Sequence, residues 1–245
     1  MASHTNLVEL KDRRSESGNV LFLILIAVAL FAALSYAVTQ STRSGGGDAS
    51  SETNLVNSAQ VTQYPASIKT AITRMNVSLS VTPDLLEFNT PATLGALTDP
   101  TYGVFHPSGG GATYAQAPND VMVAAGTNPT GVWKFNSENE VHNIGTSAGA
   151  ATSTVGTADI IAFLPDIKKS ICDKVNSELG VTGTTVETAT IDVATLMNNA
   201  NTGIGGGGGT IGFTGGATGL AGQAQGCYRA GAAGIYVYYS VLLER

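Results

Sequence analysis

The chain has 245 residues, 30 of them glycine, with 12% charged residues and a formal net charge of -6. That acidic balance leaves no broad basic surface for a phosphate backbone, which argues against nucleic acid as a partner. Two cysteines permit one internal bridge at most, excluding a cysteine-rich scaffold and a cysteine-based zinc cluster.

A polar leader carrying Lys11, Arg13 and Arg14 ends in Ser15-Glu16-Ser17-Gly18. Val20 to Leu34 then reads VLFLILIAVALFAAL without a polar side chain and continues through Ser35 and Tyr36 to Val38. Nothing charged lies between Glu16 and Arg43. As a helix, Val20 to Val38 is about 28 Å long, close to a bilayer's hydrocarbon thickness. It is apolar all round, whereas a buried helix of a soluble domain normally keeps a polar stripe. Three fates fit this run. It is a signal peptide cut after Ala37, where Ser35 and Ala37 supply small residues, or an uncleaved signal anchor, or a prepilin-type segment cut between Gly18 and Asn19.

Gly18 followed by Asn19-Val20-Leu21-Phe22-Leu23 resembles the type IV pilin-like superfamily of pilins, minor pilins and pseudopilins. In that family a short charged leader ends in glycine, and the mature chain opens with a hydrophobic helix that anchors the subunit and later packs the filament core. The resemblance implies cleavage after Gly18, a single inner-membrane pass with a periplasmic head, and a cell-surface or extracellular filament after assembly. Partners implied are other pilin-like subunits, a prepilin peptidase, and the inner-membrane assembly machinery with its ATPase. Asn19 and Leu23 stand where the family usually has Phe or Met and a glutamate. Loss of that glutamate is most familiar in minor, tip-located subunits, which points to a minor role.

After the span, Ser44-Gly45-Gly46-Gly47-Asp48 predicts a break and hinge, since each glycine costs about 1 kcal/mol in a helix interior. A second helix is predicted from about Ser51 to Met75, with Val61, Tyr64, Ile68, Ile72 and Met75 as its buried stripe and a kink at Pro65. Beyond Asn76 a Gly, Ala, Thr and Asn background supplies loops. Val132 to Phe135 and Val141 to Ile144 read as strands of a hairpin turning through Asn136-Ser137-Glu138-Asn139. Ile160 to Leu164 is a further strand. Pro165 is expected to open a helix presenting Ile167, Ile171, Val175 and Leu179 and stopping at Gly180. Ile235 to Leu243, dense in β-branched and aromatic residues, is the clearest strand, at an edge or in the centre. Cys172 on the helix and Cys227 before that strand are expected to be bridged, because a chain translocated past a membrane meets oxidising conditions.

Chemistry-bearing patterns are weak. Gly145-Thr146-Ser147-Ala148-Gly149 matches a nucleophile elbow, but all three histidines, His4, His106 and His142, precede Ser147, against the order of that fold. Gly203, Gly205 and Gly208 have dinucleotide-fingerprint spacing with no helix to follow. Gly109-Gly110-Gly111 lacks the lysine of a phosphate loop. His106 and His142 have no ligand spacing, the pairs Asp84/Glu87 and Glu138/Glu140 read as solvated surface, and no loop has the acidic spacing of a calcium site. Trp133 and Tyr114 read as core more readily than as adhesive surface.

The expectation is therefore an α+β protein without cofactor or enzymatic chemistry. It comprises a leader (1–18), a transmembrane or filament-core helix (19–43), a Gly hinge (44–48) and a head (49–245). In that head a second helix packs on a small, mainly antiparallel sheet with long Gly-rich loops. The alternative is a signal-peptide-bearing or signal-anchored envelope binding or adhesion protein with no filament role.

Overall fold

A computed structural model describes residues 17–182, 185–188, 190–193, 197, 205–213, 217–231 and 234–245, with side chains at 17–19 and 41–49 outside that description. The chain divides into two compact units, Met1–Ser51 and Glu52–Arg245. The expected break at 44–48 does not interrupt secondary structure: helix α1 (Ser17–Leu79) is one assignment that includes Gly45, Gly46, Gly47 and Pro65. Elongation adds a hydrogen bond for each residue fixed, so three weak helix formers can be carried by strong turns on either side. The surroundings of those glycines lie outside the described residues.

In the second unit, α1 buries Val61, Ile68, Ile72 and Met75, with Tyr64 half-buried beside them. This is the stripe predicted from three- and four-residue spacing. It packs with α2 (Lys169–Glu178) against one face of a five-stranded mixed sheet. The strands are β1 (Lys134–Asn136), β3 (Ile160–Pro165), β7 (Tyr236–Leu243), β6 (Gln225–Ala230) and β4 (Val186–Glu187), in that spatial order. The β1/β3, β3/β7 and β7/β6 pairs are antiparallel, and β4 joins β6 in parallel. A separate parallel pair is formed by β2 (Glu140–Val141) and β5 (Thr210–Ile211).

Side-chain alternation along β3 and β7 divides the interior in two. Ala162, Leu164, Tyr238 and Leu242 join the helices. Ile161, Phe163, Val237, Tyr239 and Val241 face the other way and meet Val141, Ile211 and Leu220. All six β3 residues are buried, which is why the strand reads as a continuous apolar run. The strand predicted at 235–243 is β7, and it is central, flanked by β3 and β6.

Two local expectations are corrected. Asn136 to Asn139 do not turn a hairpin, because β1 pairs with β3 while β2 pairs with β5. The asparagines are committed elsewhere: Asn139 Oδ1 accepts from the amides of Asp192 and Gly209, and Asn136 Nδ2 donates to the Asp192 carbonyl. Pro165 ends β3 opposite Val237 instead of opening a helix, and α2 starts at Lys169. Asp166 takes a left-handed φ of 64° directly after it, a turn that stops helical propagation from the proline.

Helix α2 is fixed to β6 twice. Cys172 and Cys227 form a disulfide across 55 residues of sequence, with Cα atoms 5.3 Å apart. One turn on, the Asn176 carboxamide donates to the Cys227 carbonyl at 2.7 Å and accepts from its amide at 2.8 Å. Both cysteines and Asn176 are buried, so the bridge closes a loop worth about 4 kcal/mol in the chain-entropy account. Replacing both cysteines by serine is therefore expected to lower Tm by about 10 °C. Asn176→Ala, which orphans two buried backbone groups, is expected to cost about 2–3 kcal/mol. Thermal unfolding of the oxidised protein and the two variants measures both.

Candidate functional site: the uncovered apolar helix

The first part of α1 is the most unusual surface in the molecule. Val20–Gln40 forms 21 helical residues with a mean hydropathy of 2.7, none of it buried. Phe22, Leu25, Leu30, Phe31 and Leu34 are all exposed by 60% or more. Helical geometry makes this segment about 31 Å long, enough to cross the hydrocarbon of a bilayer. Two of its polar side chains bond within the helix: Thr39 donates to the Ser35 carbonyl at 2.7 Å and the Gln40 amide to the Tyr36 hydroxyl at 2.6 Å. Such internal pairing suits a medium that offers no competing hydrogen bonds. Gly18 and Asn19 lie in the first turn of α1, with their side chains outside the described residues, as is the leader before Ser17. Leu23 is on the exposed helix.

Comparisons with protein families, curated proteins and solved structures find no match.

The remaining chemistry-bearing residues fall into structural roles. Ser147, whose sequence context matched a nucleophile elbow, does lie beside a histidine, with His142 Nδ1 at 3.3 Å from its Oγ. The acid is on the wrong partner, however. Ser147 donates its one proton to Glu140 at 3.2 Å, whereas a triad needs the carboxylate to orient the histidine and leave the serine proton to the imidazole. The edge of the His142 ring meets Phe213 instead, with centroids 5.0 Å apart. Chain order alone had not anticipated the contact between His142 and Ser147.

The glycine tracts are packing devices. A Cβ on Gly110 would collide with the Val104 carbonyl, and the Arg74 guanidinium of α1 donates to the carbonyls of Gly109 and Gly110. Gly203 lies outside the described residues. Gly206 and Gly208 donate to the Glu138 carboxylate and carbonyl at 3.1 and 3.0 Å, and among the described residues no α-helix follows them. Among the described residues no cluster of three or more His, Cys, Asp or Glu is arranged to hold a metal.

The reading of the acidic pairs as solvated surface needs correction. Asp84 is exposed and Glu138 half-buried, but Glu87 and Glu140 are buried. Glu87 accepts from the Thr98 amide with both oxygens at 3.1 Å, and Glu140 from the Ala148 amide at 3.1 and 3.3 Å. Sequence offered no sign of this, since the donors are loop amides far from any charge pattern. Beside Glu140, the buried Asp159 accepts from the Val141 amide at 3.0 Å and the Arg245 amide at 3.1 Å. Burial pushes its carboxyl up to about 7, against those two amides, with repulsion from Glu140 and Glu244 adding to the rise.

Because the folded Asp159 binds its proton more tightly than the unfolded residue, its contribution to stability is complete below the ordinary carboxylate range and is lost as pH rises through 7. Between pH 5 and pH 7 this group should reduce stability by up to about 1.4 kcal/mol per pH unit. Asp159→Asn is expected to be less stable at pH 5, where its Nδ2 cannot accept from one of the two amides, and to lose that slope. Urea unfolding of both proteins at pH 5 and pH 8 gives the comparison.

Proposed function

We propose that this protein is a membrane-anchored, pilin-like structural subunit that works by assembly and surface interaction. The observation that carries the reading is the uncovered apolar helix Val20–Gln40 starting directly after Gly18 and Asn19. A helix with no apolar face turned inward has its partners outside its own chain, in lipid and then in like helices. Support also comes from the other end of α1, which packs a stripe of apolar residues on an α+β head stapled by a disulfide, a bond that suits an exported compartment.

In this reading the leader is removed between Gly18 and Asn19 by a prepilin-type peptidase, the head lies on the periplasmic side, and assembly machinery draws the apolar helix from lipid into a bundle. Packing of helix against helix drives that transfer. Gly45 to Gly47 are the weakest helical stretch and the place where the head gains freedom relative to the anchor. Leu23 in place of a carboxylate favours a low-copy, tip or membrane-resident role: a terminal amine buried in a filament without a partner costs several kcal/mol, and a long filament repeats that cost in every subunit.

Leu23 also favours the second reading, an anchored envelope binding protein that never enters a filament. The mature N-terminus separates the first reading from a signal peptide or an uncleaved anchor. Expressed in its native host, the protein is expected to begin at Asn19, and Gly18→Trp to accumulate as uncleaved precursor, both read by intact-mass spectrometry. A mature chain beginning at Val38, or retention of the whole leader, overturns the pilin-like reading.

A further inference from the structure

A groove of about 400 Å³ lies on the head between α1 and the segment before β1. Tyr64 and Trp133 form its aromatic corner, with ring centroids 5.2 Å apart and planes tilted by 42°. Trp133 is only 5% exposed and makes the floor, while half-buried Tyr64 makes a wall. The Tyr64 hydroxyl accepts from the Ala115 amide at 3.1 Å, which fixes the ring before any ligand arrives. The rim is built from Gln60, Gln63, Ser67 and Gln116, all exposed.

The charge pattern narrows the occupant. No lysine, arginine, histidine, aspartate or glutamate lines the groove, and the one ionisable group, the Tyr64 phenol, is pushed up to about 12 by burial. A phosphate, carboxylate or ammonium entering here would lose water and find no opposite charge. A lipid chain or an aliphatic side chain would fill the floor but form no hydrogen bond with the three carboxamides of the rim. A neutral polyhydroxyl ring matches both parts, laying its C–H face on the half-buried, fixed Tyr64 ring while its hydroxyls exchange hydrogen bonds with amides that donate and accept. The volume suits one or two sugar rings.

We propose that this groove binds a neutral saccharide, laid against the Tyr64 ring above the Trp133 floor and oriented by Gln60, Gln63 and Gln116. The site belongs wholly to the head and stands whether or not the protein enters a filament.

Trp133 is the chain's single tryptophan, so its emission reports on the floor of this groove. The full chain in a zwitterionic, sugar-free detergent is titrated with glucose, galactose, N-acetylglucosamine, N-acetylgalactosamine, lactose and cellobiose. Glucuronate, sialic acid, a proline-rich peptide and decanoate serve as comparators. At least one neutral sugar is expected to give a saturable emission change with Kd of about 1 mM or tighter, and the double change Gln63→Ala/Gln116→Ala to weaken it about tenfold. Gln60→Ala, a second exposed rim change, should weaken it as well, with Tm of each variant unaltered. No saturable change with any neutral sugar up to about 50 mM, equal binding by the rim variants, or stronger binding of a charged sugar, the peptide or decanoate overturns the proposal.

Discussion

The head depends on buried carboxylates and carboxamides that accept hydrogen bonds from loop amides. Glu87, Glu140, Asp159, Asp166 and Glu187 are all buried, while no lysine or arginine among the described residues is. Each carboxylate meets backbone N–H groups: Glu87 that of Thr98, Glu140 that of Ala148, Asp159 those of Val141 and Arg245, Asp166 that of Asn128 and Glu187 that of Gly212. Long irregular loops bring many amides inside without a ladder to pair them, and an unpaired buried amide is costly. An ionised acceptor forms the stronger kind of hydrogen bond and can serve two amides at once. The chain thereby holds Gly-rich segments in place that have little side-chain surface of their own to bury.

This arrangement explains which features were legible in sequence. The stripe on α1 and the strands β3 and β7 were readable because apolar periodicity is a local record of burial. Along β3 and β7, from Ile160 to Leu164 and from Tyr236 to Tyr239, apolar residues face the two cores in alternation. The 136–139 segment was misread because turn-forming residue types also make good side-chain anchors, and Asn139 binds Asp192 and Gly209, more than fifty residues away. Pro165 was misread because proline at a helix start and proline at a strand end look alike in sequence. Burial of Glu87 and Glu140 left no mark at all, since a carboxylate's partners here are backbone groups common to every residue. The disulfide was legible by arithmetic, two cysteines in a chain with an apolar span, whereas its companion contact from Asn176 was not. Of the candidate site, the apolar span was plain from composition, while the Tyr64 and Trp133 corner required two segments nearly seventy residues apart to meet.

Helix α1 combines two solutions to hydrophobicity in one element. Residues 20 to 40 are apolar on all sides and unburied, so their environment has to be supplied from outside. From Val61 to Met75 apolar side chains are confined to one face, and the protein's own sheet covers them. The change from all-round to one-sided patterning falls between residues 40 and 61, and the division between the two compact units, at Ser51, lies in that interval.

The position of β7 in the sheet sets a time order. It joins β3 to β6 in the middle of the sheet, yet the other strands among the described residues precede it in the chain. Until its residues emerge from a ribosome or translocon, β3 lacks its principal neighbour and β6 has only the two-residue β4 beside it. Closure of the sheet therefore waits on pairings of high contact order, such as Ile161 with Val241, which form slowly. During that interval the helical and loop segments already made are open to proteases and to one another. A membrane-tethered N-terminus would keep such nascent chains apart, limiting encounters until the last strand arrives.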